Sequence, residues 1–195
     1  MFDNSDMIGD YKGIVKNRVI TALLQSYLDN LDYDGMKSIL REAELLELKD
    51  MRDVDQEGTI DFFSFKKLIT AQNCLLYDSN DLLYEIGRKF AFYLFPYGKN
   101  FDEIIEEINE LIVTDWNVSI VDRTEDSVGI KVNKCVFCSE IGVPCYLFKG
   151  FLVYSLEKTL PNDFQVIPLK TKEDVNDPNH NTFHLKLQIE KIFKI

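Results

Sequence analysis

The sequence predicts an α+β fold in which N-terminal helices pack on a small antiparallel sheet. Apolar residues recur at helical spacing through the first half of the chain, and the apolar period changes to two from Trp116 onwards. A further helix and two more strands follow the first strand pair, an order that favours helices on one face of an antiparallel sheet. With 195 residues, 46% of them hydrophobic, the chain can build a substantial core, so we expect a single domain over residues 1–195.

Five helices are predicted ahead of the strands, each from its apolar spacing and its end signals. Asp61 and Asn100 stand where a short polar side chain caps a helix N-terminus, and Pro96 ends a helix because proline has no N–H to donate. The first two helices carry long apolar stripes, which must be buried either by the rest of the chain or by a second copy. The predicted helices are 14–31, 34–48, 61–74, 79–95 and 100–112.

Two strand pairs and one more helix are predicted in the second half of the chain. The segments WNVSIVDR and VGIKVNKC alternate apolar and polar residues, and the TED between them is typical of a hairpin connection. Pro144 suits the first turn of a helix. The strands are predicted at 116–123, 128–135, 164–169 and 183–189, and the helix at 144–160.

The charge of the chain argues against nucleic acid as a partner. The 22 Lys and Arg residues against 33 Asp and Glu residues give a net charge of −11, which repels phosphate backbones and anionic lipid. No apolar run reaches the roughly 18 to 20 residues of a membrane span. The acidic start MFDNSDMIGDYKG has neither the basic leader nor the apolar core of a secretory signal, so we expect a cytoplasmic protein with reduced cysteines.

An acidic loop before the third helix resembles an EF-hand calcium loop. Its carboxylates fall at loop positions one, three, five and nine: Asp53, Asp55, Glu57 and Asp61. Position twelve is Ser64, where a bidentate glutamate should complete the calcium shell. Helix capping and a solvated acidic turn are therefore favoured over a calcium site.

Three of the four cysteines lie within one short segment, Cys135-x2-Cys138-x6-Cys145. Such thiolates can chelate zinc, and the fourth ligand of a tetrahedral site could come from His180 or His184, the only histidines. On a strand, histidines four residues apart lie about 13 Å from each other, so at most one of them could share the ion. Reduced, partly buried cysteines without metal are the alternative, and a redox pair is less favoured because Cys135 and Cys138 leave a strand.

The chain is rich in aromatic residues, with 14 Phe, 9 Tyr and 1 Trp. Most are expected in the core, but a helix bearing Phe148, Phe151 and Tyr154 over a curled sheet can line an apolar pocket, the usual geometry of a small-molecule site. Ser–His–Asp, phosphate-loop and dinucleotide fingerprints are absent from the sequence, so no catalytic residue is predicted and an enzyme is not favoured.

The order of these motifs closely resembles the 4-vinyl-reductase domain family. That family's pattern is a Tyr-x-x-Gly-Arg helix, a hairpin ending in cysteine, and a Gly-x-x-x-Cys-x-x-x-x-Gly-Phe helix. The resemblance covers about residues 12–190. Gly87 and Gly150 lie inside predicted helices, where glycine is unfavourable, so each is expected to pack against a neighbouring backbone. The matching residues are Tyr84, Gly87, Arg88, Cys135, Cys145, Gly150 and Phe151, and Gly142 stands one residue closer to Cys145 than the pattern requires.

The resemblance implies a fold shared with haem-based nitric-oxide sensors and with subunits of Golgi transport tethering complexes. It also implies a homodimer with helices 14–48 as contact, and a module that binds or senses a small apolar molecule such as a hydrocarbon. The pocket residues that follow from it are Tyr84, Trp116, Phe148, Phe151 and Leu152.

Zinc is the metal that the resemblance implies, held by a cysteine at the position of Cys145 and a late pair of cysteines. This sequence has KTKEDVNDPNHNTFH where the late pair should be, without a cysteine. The candidate ligands are therefore Cys135, Cys138, Cys145 and His180, and the usual site is not intact. Haem is not expected, because neither histidine lies in a predicted helix of the kind that carries a proximal ligand.

Three hypotheses for function follow. The first is a non-catalytic module that binds or senses a small apolar molecule. The second is a protein-interaction or scaffold subunit whose pocket is filled by its own side chains. The third is an accessory protein or reductase in tetrapyrrole vinyl reduction, which ranks last because nothing in the sequence supplies a hydride source.

Overall fold

The structure is a computed structural model that describes residues 12–53, 55–138, 145–173 and 181–192. Over these residues the chain forms helices and two antiparallel sheets, which confirms the predicted α+β class. The side chains of 51–53 and 170–173 are outside the description, as are His180 and the predicted helix start at Pro144.

The helices follow the predicted order closely. A short 3-10 helix, Leu46–Asp53, comes after the first of them. Within the described ranges, no helix combines the length and the apolar character that a membrane crossing requires. The α-helices are α1 (Asn17–Glu42), α2 (Phe62–Leu75), α3 (Asn80–Leu94), α4 (Phe101–Leu111) and α5 (Tyr146–Glu157).

The predicted division between the first two helices appears as a break inside α1. Asp32 has φ 60° and ψ −174°, which is not helical, and its carboxylate accepts hydrogen bonds from the backbone N–H groups of Asp34 and Gly35. The side chain therefore caps the second part of α1 as an N-terminal residue would. That second part ends at Glu42, six residues before the predicted end, and the chain turns at Glu44 with φ 57°.

The strands form two sheets with antiparallel pairing. The first three strands are β1 (Ile14–Lys16), β2 (Thr59–Asp61) and β3 (Ile112–Val113). The other four are β4 (Asn117–Arg123), β5 (Ser127–Asn133), β6 (Phe164–Glu173) and β7 (Phe183–Lys191). The first sheet has the order β2-β1-β3 and the second has the order β4-β5-β7-β6.

The three short strands correct the sequence prediction, which placed Ile14–Lys16 in a helix and Ile112 at a helix end. Strands of two or three residues are too short to show a period of two. Their partners also lie far apart in the chain, since Ile14 pairs with both Asp61 and Val113. Val15, at the centre of this sheet, is fully buried.

The acidic loop closes on itself as a capped turn. The Asp55 carboxylate accepts a hydrogen bond from the Glu57 N–H at 3.0 Å, and the Asp61 carboxylate accepts one from the Ser64 N–H at 2.8 Å. Asp61 is thus the N-cap of α2, as predicted, and its backbone belongs to β2. Both carboxylates are used in local structure.

The helices α3 and α5 cross in close contact, and this crossing positions the interior of the domain. α1 packs along α3 on one side, while α4 packs on β4 and α5 on β6. The apolar side of α1 is buried within the chain itself, including Val19, Leu23 and Tyr27. These contacts enclose an aromatic interior next to the predicted cysteine site.

A candidate metal centre beside an aromatic cluster

The three cysteines are brought together where β5 ends and α5 begins. Cys135 follows β5, and its N–H donates to the carbonyl of Asn181, just before β7, at 2.8 Å. The chain then turns back, so that the Cys138 N–H reaches the Cys135 carbonyl at 3.4 Å. Cys145 is the N-cap residue of α5, where its carbonyl accepts from the Lys149 N–H at 3.1 Å.

The sulfur atoms lie at distances that suit one shared ion. All three Sγ atoms are within 4.8 Å of one another, and the Sγ atoms of Cys135 and Cys145 are 3.6 Å apart. Thiolates around tetrahedral zinc, with Zn–S bonds of about 2.3 Å, lie about 3.8 Å from each other. The observed separation fits that geometry, and it is far longer than the roughly 2.05 Å of a disulfide bond. The three thiols are free.

The cluster is closed to solvent, since the exposed fractions of Cys135, Cys138 and Cys145 are 1%, 5% and 9%. Burial raises the pKa of Cys135, but hydrogen bonds with the other two thiols and with the Phe137 N–H outweigh it and hold that pKa well below its usual value. The hydrogen bond to Cys135 raises the pKa of Cys138, and burial raises the pKa of Cys145. A cation bound by the three sulfur atoms would favour the deprotonated form of each thiol.

The described residues supply three of the four ligands that a tetrahedral zinc site needs. Among the described residues, these cysteines are the one group of three or more metal-ligating side chains that lies close enough together to hold an ion. His180, the predicted fourth ligand, lies outside the described residues. His184 lies in β7, paired with Lys131, and is not part of the group.

An aromatic cluster adjoins the cysteines and is centred on Phe137, which lies between Cys135 and Cys138 in the chain. The Phe137 ring stacks on Phe148 at 5.2 Å between centroids with an interplanar angle of 13°. It also meets Trp116, Phe65 and Phe90 at 5.8, 5.8 and 5.7 Å. The members of this aromatic cluster are Phe65, Phe90, Trp116, Phe137, Phe148 and Phe151.

The structure brings together most of the predicted pocket residues. Trp116, Phe148 and Phe151 are members of the aromatic cluster, and Leu152 is fully buried beside them on α5. Tyr84 differs, because its side chain is half-buried and interacts with Arg88 at the surface of α3. Burial raises the pKa of Tyr84.

Sequence reasoning missed Phe137, the residue with the most central place in the cluster. The sequence did contain a signal for this residue, because an aromatic side chain inside a tight Cys-x-x-Cys turn is expected to be buried in the interior. Phe65 and Phe90 were assigned to helices but not to the site. Neither position could be linked to Phe137 without the tertiary fold, since both are far from it in sequence.

Comparison with known proteins gives a fold relationship. No family model matches the chain, and no curated protein matches it. Among solved structures, a Tt H-NOX variant aligns with a TM-score of 0.62 and 12% identity, covering 93% of this chain and 98% of the other. An oxygen-binding H-NOX domain related to soluble guanylate cyclases, in its oxygen complex, aligns at 0.60 and 11%, again covering 93% and 98%. An iron(II) unliganded H-NOX variant from K. algicida aligns at 0.59 and 13%, covering 91% and 97%.

These likenesses show the fold alone, because the identities are low. The prediction that the chain shares its fold with haem nitric-oxide-binding domains is confirmed. The resemblance to the 4-vinyl-reductase family stays a prediction, since no family model matches.

Proposed function

We propose that this chain is a non-catalytic module that binds or senses a small apolar molecule within the aromatic cluster. One observation carries the proposal: Phe137 places its ring in that cluster while its two neighbours in the Cys-x-x-Cys turn supply thiols to the candidate metal centre. The fold supports it, because the similar structures include an H-NOX domain described as oxygen-binding.

The coupling between the two sites would work through the position of Phe137. A molecule that enters the cluster must displace a ring, and displacement of Phe137 would move the turn that holds Cys135 and Cys138. Ligand binding would then favour whichever arrangement of the turn leaves room for the ligand. The turn is tied to the rest of the fold by Lys66 Nζ, which donates to the Cys138 carbonyl at 3.2 Å, and by the Asn73 amide, which donates to the Phe137 carbonyl at 3.3 Å.

The proposal includes zinc as a structural ion. Cys135, Cys138 and Cys145 would hold it, with His180 as the proposed fourth ligand. A four-coordinate zinc supplies no catalysis but joins distant segments, in this case the end of β5 and the start of α5. The buried thiol group described above is the support for this part of the proposal.

A second function, a protein-interaction subunit, is favoured by the packing of the same rings. Phe137, Phe148 and Phe151 stack face to face at 5.2 and 5.3 Å, so each ring occupies the space that a ligand would need. In that case the interior would be a permanent core and the surface would carry the function. The proposed homodimer and cytoplasmic location are compatible with both functions.

Fluorescence of Trp116 separates the two functions, because it is the only tryptophan and its ring contacts Phe137 and Phe148. We expect toluene to change the Trp116 emission saturably and to raise the melting temperature of the unaltered protein. The Phe148→Ala variant should bind toluene more tightly, since it opens a cavity, while its unfolding free energy falls by about 3–5 kcal/mol. Phe148→Leu should also open space for toluene, with a smaller loss of unfolding free energy.

The control is Phe63→Ala, because Phe63 is 54% exposed and lies outside the cluster. It should leave both the emission change and the affinity for toluene unaltered. If toluene binds only to the Phe148 variants and not to the unaltered protein, the interior is a filled core. That outcome rejects the apolar-ligand proposal and favours the interaction subunit.

A further inference from the structure

A small cavity lies apart from the aromatic cluster, where the end of α3, the start of α4 and the last turn of α5 meet. Its volume is about 130 Å³. This volume is slightly below the roughly 150 Å³ of a cavity that holds benzene in another protein, so a single small ring or a short alkyl chain would fill it completely. The lining residues that matter for its chemistry are Phe95, Lys99, Ile104, Tyr154, Ser155 and Lys158.

Ser155 gives this cavity a hydrogen-bonding group without a partner. Its side chain is 3% exposed, and its Oγ makes no hydrogen bond within the described part of the chain. A buried hydroxyl without a partner is destabilising, because it loses its hydrogen bonds to water and gains none in return. Ser155 lines the cavity, but its Oγ has no free surface there, so donation to a bound molecule requires the hydroxyl to turn towards the cavity. Such a bond would recover part of that loss.

The charges around the cavity determine which kind of ligand it would bind. Lys99 and Lys158 both line it, and no carboxylate does among the described residues. Lys99 is paired with Glu107, which it shares with Arg18, so one positive charge remains in excess. The Lys158 Nζ lies 5.2 Å from the centre of the Tyr154 ring. The local charge thus favours an anion over a neutral molecule.

We propose that this cavity binds a small carboxylate with an apolar body about the size of a benzene ring. The carboxylate would accept a hydrogen bond from the Ser155 hydroxyl and be attracted by Lys158 and Lys99. The apolar body would lie against Phe95, Tyr154 and Ile104, which supply the hydrophobic part of the binding free energy. The proposal does not rest on the function proposed for the aromatic cluster, since it uses different residues. The Phe95 ring does touch Phe151 of that cluster, at 6.1 Å between centroids.

The test compares benzoate with benzamide, which has nearly the same shape but no charge. Titration followed by calorimetry, and by amide chemical shifts at residues 95–99 and 154–158, should show benzoate binding at millimolar concentration and benzamide binding more weakly. Ser155→Ala should weaken benzoate by about tenfold or more, because a hydrogen bond to a charged group is lost. Lys158→Gln should weaken it by a few-fold and reduce the preference over benzamide.

Two controls show whether these losses are specific. Lys186→Gln removes an exposed lysine on β7, far from this cavity, and should leave benzoate binding unchanged. Ligand-free Ser155→Ala should melt at a higher temperature than the unaltered protein, since it removes the unpaired hydroxyl and improves helix propensity. The variant would then be more stable and yet bind benzoate less well.

Three results would overturn the proposal. The first is the absence of benzoate binding at millimolar concentration. The second is equal binding of benzamide, which would reject the anionic class of ligand. The third is benzoate binding that neither Ser155→Ala nor Lys158→Gln alters, because the ligand would then lie elsewhere. Toluene binding to the aromatic cluster is measured separately through Trp116, so the failure of one site is distinguishable from the failure of the other.

Discussion

Two glycines allow α3 and α5 to approach each other, and each faces the backbone of the opposite helix. A Cβ atom on Gly87 would lie 1.8 Å from the Leu147 carbonyl oxygen, and one on Gly150 would lie 2.1 Å from the Tyr84 carbonyl oxygen. Backbone atoms cannot rotate away as a side chain can, so the helices would have to separate. The sequence prediction that these glycines meet neighbouring backbone is confirmed.

We predict that Gly87→Ala and Gly150→Ala each lower the free energy of unfolding by about 1–3 kcal/mol or more, as overpacking does. The gain in helix propensity, up to about 1 kcal/mol, offsets only part of this loss. Thermal unfolding of the variants measures the effect. The control is Gly98→Ala, since a Cβ there would meet nothing within 4 Å and its φ is not positive. Stability unchanged in the Gly87 variant would mean that the helices are not in such close contact.

The start of α2 depends on the charge of one side chain. Hydrogen bonding from the Ser64 N–H holds the pKa of Asp61 below its usual value. A carboxyl group whose pKa is lower in the folded state than in the unfolded state stabilises the fold at pH values above its unfolded pKa. This stabilisation disappears as the pH falls through its folded pKa. Protonation of Asp61 therefore weakens the stabilisation that it gives to the start of α2.

We predict that Asp61→Ala lowers the free energy of unfolding by about 1 kcal/mol at neutral pH, and that the difference from the unaltered protein shrinks as the pH falls below about 4. Denaturant unfolding at a series of pH values measures both effects. Asp61→Asn is the matched control, because asparagine caps as well as aspartate but does not titrate. A difference between Asp61→Ala and the unaltered protein that persists unchanged at low pH would contradict the role of the carboxylate.

The elements show what the sequence could and could not predict. Helices α2 to α4 were predicted within one or two residues, because their apolar spacing and their caps are local signals. The short sheet was missed, because Ile14, Asp61 and Val113 are brought together only by the fold. The cysteine site was predicted from spacing alone. Its position beside the aromatic cluster was not, since the direction of the Phe137 side chain depends on how the turn at the end of β5 closes.

At the scale of the whole molecule, the cysteines lie where the end of β5, the chain before β7 and the start of α5 meet. Cys135 is anchored to the chain ahead of β7 through Asn181, and Cys145 begins α5, the helix that crosses α3. A zinc ion held by these thiols would tie β5, β7 and α5 to each other at one point. Because it binds only the folded arrangement, its binding free energy would add to the stability of the domain.

We predict that native mass spectrometry of the purified protein shows a dimer with one zinc ion per chain. A strong chelator should lower the melting temperature by at least about 5 °C, since the bound ion stabilises only the folded state. Cys145→Ser should lose the zinc and melt at a similarly lowered temperature even without chelator. Cys74→Ser is the matched control, because Cys74 is exposed and outside the group, so it should retain both zinc and stability.

A metal-free protein that melts at the same temperature with and without chelator would show that the three thiols serve only as packing. A monomeric mass would reject the dimer independently of the metal content.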